Sequence, residues 1–486
     1  MNNWLKKISI VVVGIFWAGI SCGIVSARGG RTVVAGEVIG RSATDPAIVM
    51  WYLDDPFGST EQLAQRLAAD GSFRFETEEI THLHDVSIVI GRSVRFLIAP
   101  GDSIHLTIDA DRMRRGEVAE AVRFGGDRAK ENAELIVCQE KMIRLQNDEP
   151  LLDLATTPDN VFRQIRERMA RYEDSLNRFA SVGPEIRDFM RRELLFNLAN
   201  SLLAYEPRNP AARVKLLGDS IFGIHDEANL RTMMFPYHLN FYADTRTAID
   251  TTILAAIRDE DYALAARKTV GVLTEEPATG CRDVMLWGSM IALAEQWPAL
   301  CDSVAELRTA FVDPTLYERL QMQCRTFAKG PSFPETPITG IHYLTPADST
   351  VEAVPEGDFF AYLAAKYPNR VLYIDVYATW CAPCRAEMKY APMLHETFSE
   401  QEVVFVNLCL ASPFDHWRRL MTQNPIEGEN YWFDPDATNL FRATYRLSGY
   451  PTYLLVDRQG SFSSLQAGRP SEMEYTIRQI NTLLGQ

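Results

Sequence analysis

Two cysteines separated by two residues, in Trp380-Cys381-Ala382-Pro383-Cys384, are the side chains of this sequence best suited to chemistry. A Cys-x-x-Cys unit either contributes half of a metal site or cycles between dithiol and disulfide. No second pair of thiols at close spacing exists to complete four ligands, so redox exchange is the expected chemistry. The motif follows an apolar run, residues 371–376, and opens a helix-like segment, residues 384–398. Cys381 would then lie where backbone N–H groups lack partners and favour a thiolate, which lowers its pKa and makes it a nucleophile near neutral pH. Pro383 suits a first helical turn, because the N–H it lacks would be unpaired there anyway. Cys384, one turn deeper, is the expected resolving thiol.

These residues need a scaffold that holds a loop at a strand end. Residues 371–376 and 403–410 are continuous apolar runs, the pattern of strands buried on both faces, and helix-like segments at 358–366 and 384–398 flank the first of them. An α/β domain with parallel strands is expected over residues 330–486, opening on the proline-containing stretch 330–337. Cys409 lies near the end of the second run, at the same sheet edge as the motif, and reads chiefly as a core thiol.

The segment from Asp375 through Trp380 to Cys384 resembles the active site of thioredoxins, and Gly449-Tyr450-Pro451-Thr452 resembles their cis-proline loop. Seventy positions lie between Cys381 and Pro451, more than a minimal thioredoxin needs. An inserted element at about 412–433, with a helix-like 415–423, is similar to that of the TlpA-like and ResA-like periplasmic disulfide reductases. The resemblance implies a thioredoxin-like fold and thiol–disulfide exchange without a cofactor or metal. It also implies protein disulfides or dithiols as substrates and an upstream redox partner such as a membrane electron donor. Residue by residue, it implies Cys381 and Cys384 as the redox pair, Asp375 as a buried proton-transfer group for Cys384, and Trp380, Tyr450 and Pro451 as the substrate-facing surface. Tyr450 departs from the small or β-branched residue common in that loop. Glu387 matches a glutamate those reductases carry near the active site; equally, a Glu in a first helical turn simply suits the helix dipole.

Upstream, residues 28–112 alternate apolar and polar side chains in short runs, at Thr32–Ile39, 47–53, 72–76, 86–90, 94–98 and Ser103–Asp109, and a small β-sandwich is expected. Residues 113–329 turn helical, most clearly in the stripe Phe162, Ile165, Met169, Tyr172, Leu176 and Phe179, whose start Thr157-Pro158 would cap. Leu135, Cys138, Met142 and Leu145 form a similar stripe, which makes Cys138 a core residue. Long TlpA-like proteins carry comparable β-rich and helical regions, and Phe124-Gly125-Gly126 followed by Asn132 is similar to their junction. With most of the chain outside the redox fold, a partner-binding envelope protein with an accessory redox module is the alternative reading. Residues 302–312 and 315–327 read as a helical hairpin turned at Asp313-Pro314, with Cys301 and Cys324 on one seam, either bridged or as two core thiols.

A formal charge of −15 and only short basic clusters disfavour nucleic acid. At the amino terminus Lys6 and Lys7 precede an apolar run, residues 8–20, and Val25-Ser26-Ala27 offers a cleavage site, so residues 1–27 read as an export signal. The run is also long enough for a membrane anchor, and Cys22 could carry a lipid. All three readings place the remainder in an oxidising compartment, the periplasm or cell envelope.

Overall fold

Alternation along the first hundred residues produces strands with one buried face. In the computed structural model, which describes residues 30–485 apart from 43–44, 55–59, 79, 81, 148, 151, 180, 205–209, 330–335, 399–401, 448 and 465–466, eight strands form two sheets in this region. They are β1 (Thr32–Ile39), β2 (Ile48–Asp54), β3 (Thr60–Arg66), β4 (Ser72–Thr77), β5 (His84–Ile90), β6 (Arg92–Ile98), β7 (Ser103–Asp109) and β8 (Val122–Gly126). The orders are β4-β1-β7-β8 and β3-β2-β5-β6, with β1 and β7 parallel. Inward residues of both sheets, among them Val34, Phe75, Leu106, Trp51, Ile88 and Phe96, share one core, which makes the pair a small sandwich. Two features correct the sequence reading. β3 was not expected, and β8 lies beyond residue 112, so the sandwich continues past the expected boundary to Gly126. The expected export signal, residues 1–27 with Cys22, and residues 330–335 of the proline-containing stretch lie outside the described residues. Among the described residues no helix is long and apolar enough to cross a membrane.

From Ala129 to Lys329 the chain is helical around a single core. The Phe162 stripe lies on the helix Pro158–Asn177 as far as Leu176, with Phe179 just past the helix end, and Cys138 is fully buried on Ala129–Asn147. Thr157 occupies the N-cap position, but its side chain makes no capping bond, so Pro158 in the first turn is the effective start signal. This region clamps the sandwich through a buried charge cluster. Arg95 of β6 donates to Asp85 of β5 at 2.9 Å and to Glu193 of the helix Pro184–Asn200 at 2.7 Å, while Asp85 also accepts from the Met233 N–H at 3.1 Å. Arg95→Ala would leave two buried carboxylates without a counter-charge. The unfolding free energy measured in urea is expected to fall by roughly 3–5 kcal/mol.

The C-terminal sheet has the order β10-β9-β13-β12-β11-β14-β15, built from β9 (Ile341–Leu344), β10 (Val351–Ala353), β11 (Val371–Tyr377), β12 (Val403–Cys409), β13 (Glu429–Phe433), β14 (Thr452–Val456) and β15 (Phe462–Ser464). Only the β11–β12 and β12–β13 pairs are parallel; the outer pairs are antiparallel, which makes the sheet mixed rather than parallel throughout. All seven residues of β11 are buried. Leu372, Ile374 and Val376 enter the core under the helices Phe359–Lys366 and Pro435–Thr444, and Val371 and Tyr373 enter the opposite core under Met473–Leu484. The extra length before Pro451 forms the helix Phe414–Gln423 and β13, which inserts between β12 and β9. The helix expected at 384–398 is two, Ala382–Glu387 and Ala391–His395, because Pro392 has no N–H to continue the first.

The sandwich also packs on this domain. Asp436 accepts from the N–H groups of Ala47 and Ile48 at 2.9 and 3.1 Å, and the Gln62 amide of β3 donates to the Leu447 carbonyl at 3.2 Å.

Candidate active site at the Cys-x-x-Cys pair

The loop after β11 delivers Cys381 to the start of the helix Ala382–Glu387, with Pro383 in its first turn. Cys381 is the N-cap residue: its Sγ accepts the Cys384 N–H at 3.1 Å, a donor that the helix itself leaves unpaired. The two sulfurs are joined in a disulfide. Cys384 is fully enclosed and Cys381 is 3% exposed. Beneath them a cluster of Tyr377, Cys409, Trp417, Trp432 and Met421 closes the pair from below.

Hydrogen bonds latch the loop to the end of β12. The Thr379 N–H donates to Ser412 Oγ at 2.9 Å, and the Trp380 indole donates to the Ala411 carbonyl at 2.8 Å, with Ala411 itself in the left-handed region at φ 48°. Held this way, Trp380 is 62% exposed, an unusual placement for so large an apolar ring. Its edge meets Tyr450 with ring centroids 5.8 Å apart. Tyr450-Pro451 is a cis peptide, and Tyr450 packs against the cysteine cluster. Trp380 and Tyr450 thus meet beside the cysteine cluster, with Pro451 next along the chain.

Asp375 lies on the same face of β11 as Tyr373 and Tyr377, opposite Asn407 of β12 and Tyr453 of β14. It is buried, and among the described residues its Oδ1 has no hydrogen-bond partner and no lysine pairs with it. Burial first, and the negative charge of Glu387 second, push its pKa up to about 8. Glu387 does not stand free beside the sulfurs. Its carboxylate accepts from the Ser471 N–H at 3.0 Å and from the Ser471 hydroxyl at 2.9 Å, which ties the active-site helix to the turn Pro470–Glu472, and from there its charge reaches Asp375.

Cys409, in register with Tyr377, is fully buried, and its thiol is pushed up to about 12 by burial. In the reduced protein near pH 7, iodoacetamide is therefore expected to modify Cys381 first, Cys384 at least roughly tenfold more slowly, and Cys409 not at all. Equal rates at Cys381 and Cys384, read by peptide mass mapping, would remove the asymmetry on which their assigned order rests.

Sequence reasoning missed the neighbours contributed from the sandwich. The guanidinium of Arg442 lies 5.8 Å from the Tyr450 ring and 5.9 Å from the Tyr52 ring, so β2 borders the cis-proline loop. No local pattern marks Tyr52 for that position. Among the described residues no group of three His, Cys, Asp or Glu side chains is placed to hold a metal.

A family model described as thioredoxin-like matches residues 369–462. Solved structures align over about a third of the chain. A protein from Bacteroides vulgatus provisionally named a thiol-disulfide oxidoreductase is 27% identical, with 31% of this chain and 90% of that one covered and a TM-score of 0.25. The thioredoxin domain of a thiol-disulfide oxidoreductase from the same organism is 13% identical, with 30% and 98% covered and a TM-score of 0.24. A provisionally named thiol:disulfide interchange protein DsbE from Chlorobium tepidum is 24% identical, with 32% and 100% covered and a TM-score of 0.24. The match over 369–462, the mixed sheet and the cis-proline loop facing the cysteines together identify the C-terminal third as a thioredoxin-like domain that carries a Cys-x-x-Cys disulfide.

Proposed function

We propose that this chain is a thiol–disulfide oxidoreductase acting on protein substrates outside the cytoplasm, in the reducing direction. The observation that carries the reading is the Cys381–Cys384 disulfide, with Cys381 capping a helix beside the cis Tyr450-Pro451 peptide. In the reduced enzyme the Cys381 thiolate attacks one sulfur of a substrate disulfide, forms a mixed disulfide and expels the other sulfur as a thiolate. Cys384, losing its proton to Asp375, then attacks Cys381 Sγ. The substrate leaves as a dithiol and the Cys381–Cys384 disulfide forms, so each cycle consumes two electrons that an upstream dithiol or membrane donor must restore. Trp380, Tyr450 and Pro451 contact the substrate segment, and Glu387 acts through Asp375 as a positioning residue. The extracytoplasmic placement rests on Lys6, Lys7 and the apolar run behind them.

Insulin reduction driven by dithiothreitol tests the chemistry. The full chain should accelerate it and Cys381→Ser should fall to the uncatalysed rate. Direction is tested by equilibrating the pair with glutathione. A potential near the roughly −270 mV of thioredoxin supports a reductase, and one near −120 mV reverses the assignment.

A second reading is favoured by the sandwich docking beside Tyr450: the upstream regions select the partner and the redox domain services it. Residues 336–486 alone should then retain insulin reduction but lose activity on the native substrate.

A further inference from the structure

The last helical segments before the thioredoxin-like domain hold a second pair of cysteines. Cys301 lies on the helical turn Leu300–Ser303 and Cys324 near the end of the helix Pro314–Lys329. The first arm of the expected hairpin is two short helical turns, Leu300–Ser303 and Leu307–Ala310, rather than one helix, yet the seam holds. Val304, Leu307, Phe311, Leu316 and Leu320 are all buried along it. At its open end the two thiols are unbridged in this structure, in hydrogen-bond contact with their Sγ atoms 2.9 Å apart, and both residues are buried. The Tyr317 hydroxyl donates to the Cys301 carbonyl at 3.3 Å and ties the same two segments together.

That separation exceeds the roughly 2.05 Å of a disulfide by less than an ångström, a gap that small side-chain rotations close. Other uses of two buried thiols fit poorly. No third or fourth ligand joins them among the described residues, and both lie in the apolar core of the helical region.

We propose that Cys301 and Cys324 form a second disulfide, structural and separate from the Cys381–Cys384 pair. The oxidant is itself a disulfide, glutathione disulfide or the active pair of a protein dithiol oxidase, met while the chain folds. One cysteine thiolate attacks a sulfur of the oxidant and forms a mixed disulfide, releasing one oxidant thiol. The second cysteine displaces the other, so two Cys thiols and one oxidant disulfide become one Cys–Cys disulfide and two oxidant thiols. Once the hairpin packs, burial shields the bond from reductant. The bond pins the helix Pro314–Lys329 to the helical core at the point where the chain leaves for the thioredoxin-like domain.

The full chain is refolded with glutathione disulfide, treated natively with dithiothreitol, alkylated in denaturant and mapped. The expected result is a Cys301–Cys324 linked peptide that survives the native reductant while Cys381 and Cys384 are both alkylated. Separately, the oxidised protein should melt several degrees above the fully reduced one, and the Cys301→Ala, Cys324→Ala double variant should keep only the part of that difference due to Cys381–Cys384, which the native dithiothreitol treatment reads alone. Singly alkylated Cys301 and Cys324 after oxidative refolding, a link from either to another cysteine, or a double variant that keeps the full redox-dependent shift would each overturn the proposal.

Discussion

A Cys384→Ser variant is expected to complete one half-reaction and then hold its substrate covalently on Cys381. The geometry explains why the effect should be large. Cys384 is fully buried one turn behind Cys381, and in the disulfide form its own N–H donates to Cys381 Sγ at 3.1 Å, so the fold holds the two sulfurs within bonding reach of each other. Intramolecular attack from such a position corresponds to effective concentrations of about 10⁵ M or more, far beyond any thiol in solution. Serine keeps roughly the size of the side chain and its packing against Tyr377, Trp417 and Trp432 but cannot displace a disulfide sulfur. Multiple-turnover insulin reduction should fall by at least about 10³-fold, to background. Non-reducing electrophoresis should show an adduct that dissolves in dithiothreitol, with the linkage mapped to Cys381. An adduct formed equally by Cys381→Ser, or one mapped to Cys409, would refute the assigned order of attack.

The parts of the site legible in the sequence were those whose chemistry is local. Trp380 through Cys384 announces its helix start by Pro383, and the apolar run around Asp375 announces a strand buried on both faces, which makes a lone carboxylate there conspicuous. What escaped depends on distant pairing. In β3, Thr60-Glu61-Gln62-Leu63-Ala64-Gln65-Arg66, only Leu63 and Ala64 are apolar. It is a strand because β2 pairs with it along its length and because Gln62 finds the Leu447 carbonyl 385 positions away. β8 was obscured by Gly125 and Gly126, which weaken strand propensity, although the segment completes the sheet against β7. Glu387 shows the same limit at a single residue. Its resemblance to an active-site glutamate was readable, but the expected first-turn position is corrected by the structure, where Glu387 closes the helix Ala382–Glu387, and the carboxylate's bonds to Ser471 join segments 84 positions apart.

Asp375→Asn is expected to separate the two chemical steps and to change stability in the opposite sense from activity. With its pKa held near 8, Asp375 is a stronger base than an ordinary carboxylate and better matched to a thiol proton, so the carboxylate form present at mildly alkaline pH can deprotonate Cys384 during resolution. The amide cannot. Resolution should slow by about 10²–10⁴-fold while initial attack by Cys381 changes little, and the mixed disulfide should accumulate in stopped-flow experiments. Stability should move the other way. Between about pH 4 and 8 the carboxyl is protonated in the folded protein and ionised in the unfolded chain, so the folded state binds more protons and stability falls as pH rises through that window. Asparagine removes the titration. The variant should therefore be more stable than the parent at pH 7, by something on the order of 1–4 kcal/mol, with a flatter dependence on pH in urea denaturation. Glu387→Gln supplies the control for the cause. Removing that charge while keeping an acceptor for Ser471 should lower the Asp375 pKa and move the inflection of the resolution rate to lower pH. Equal slowing of attack and resolution in Asp375→Asn, or a resolution profile that Glu387→Gln leaves in place, would assign the aspartate a general structural role instead.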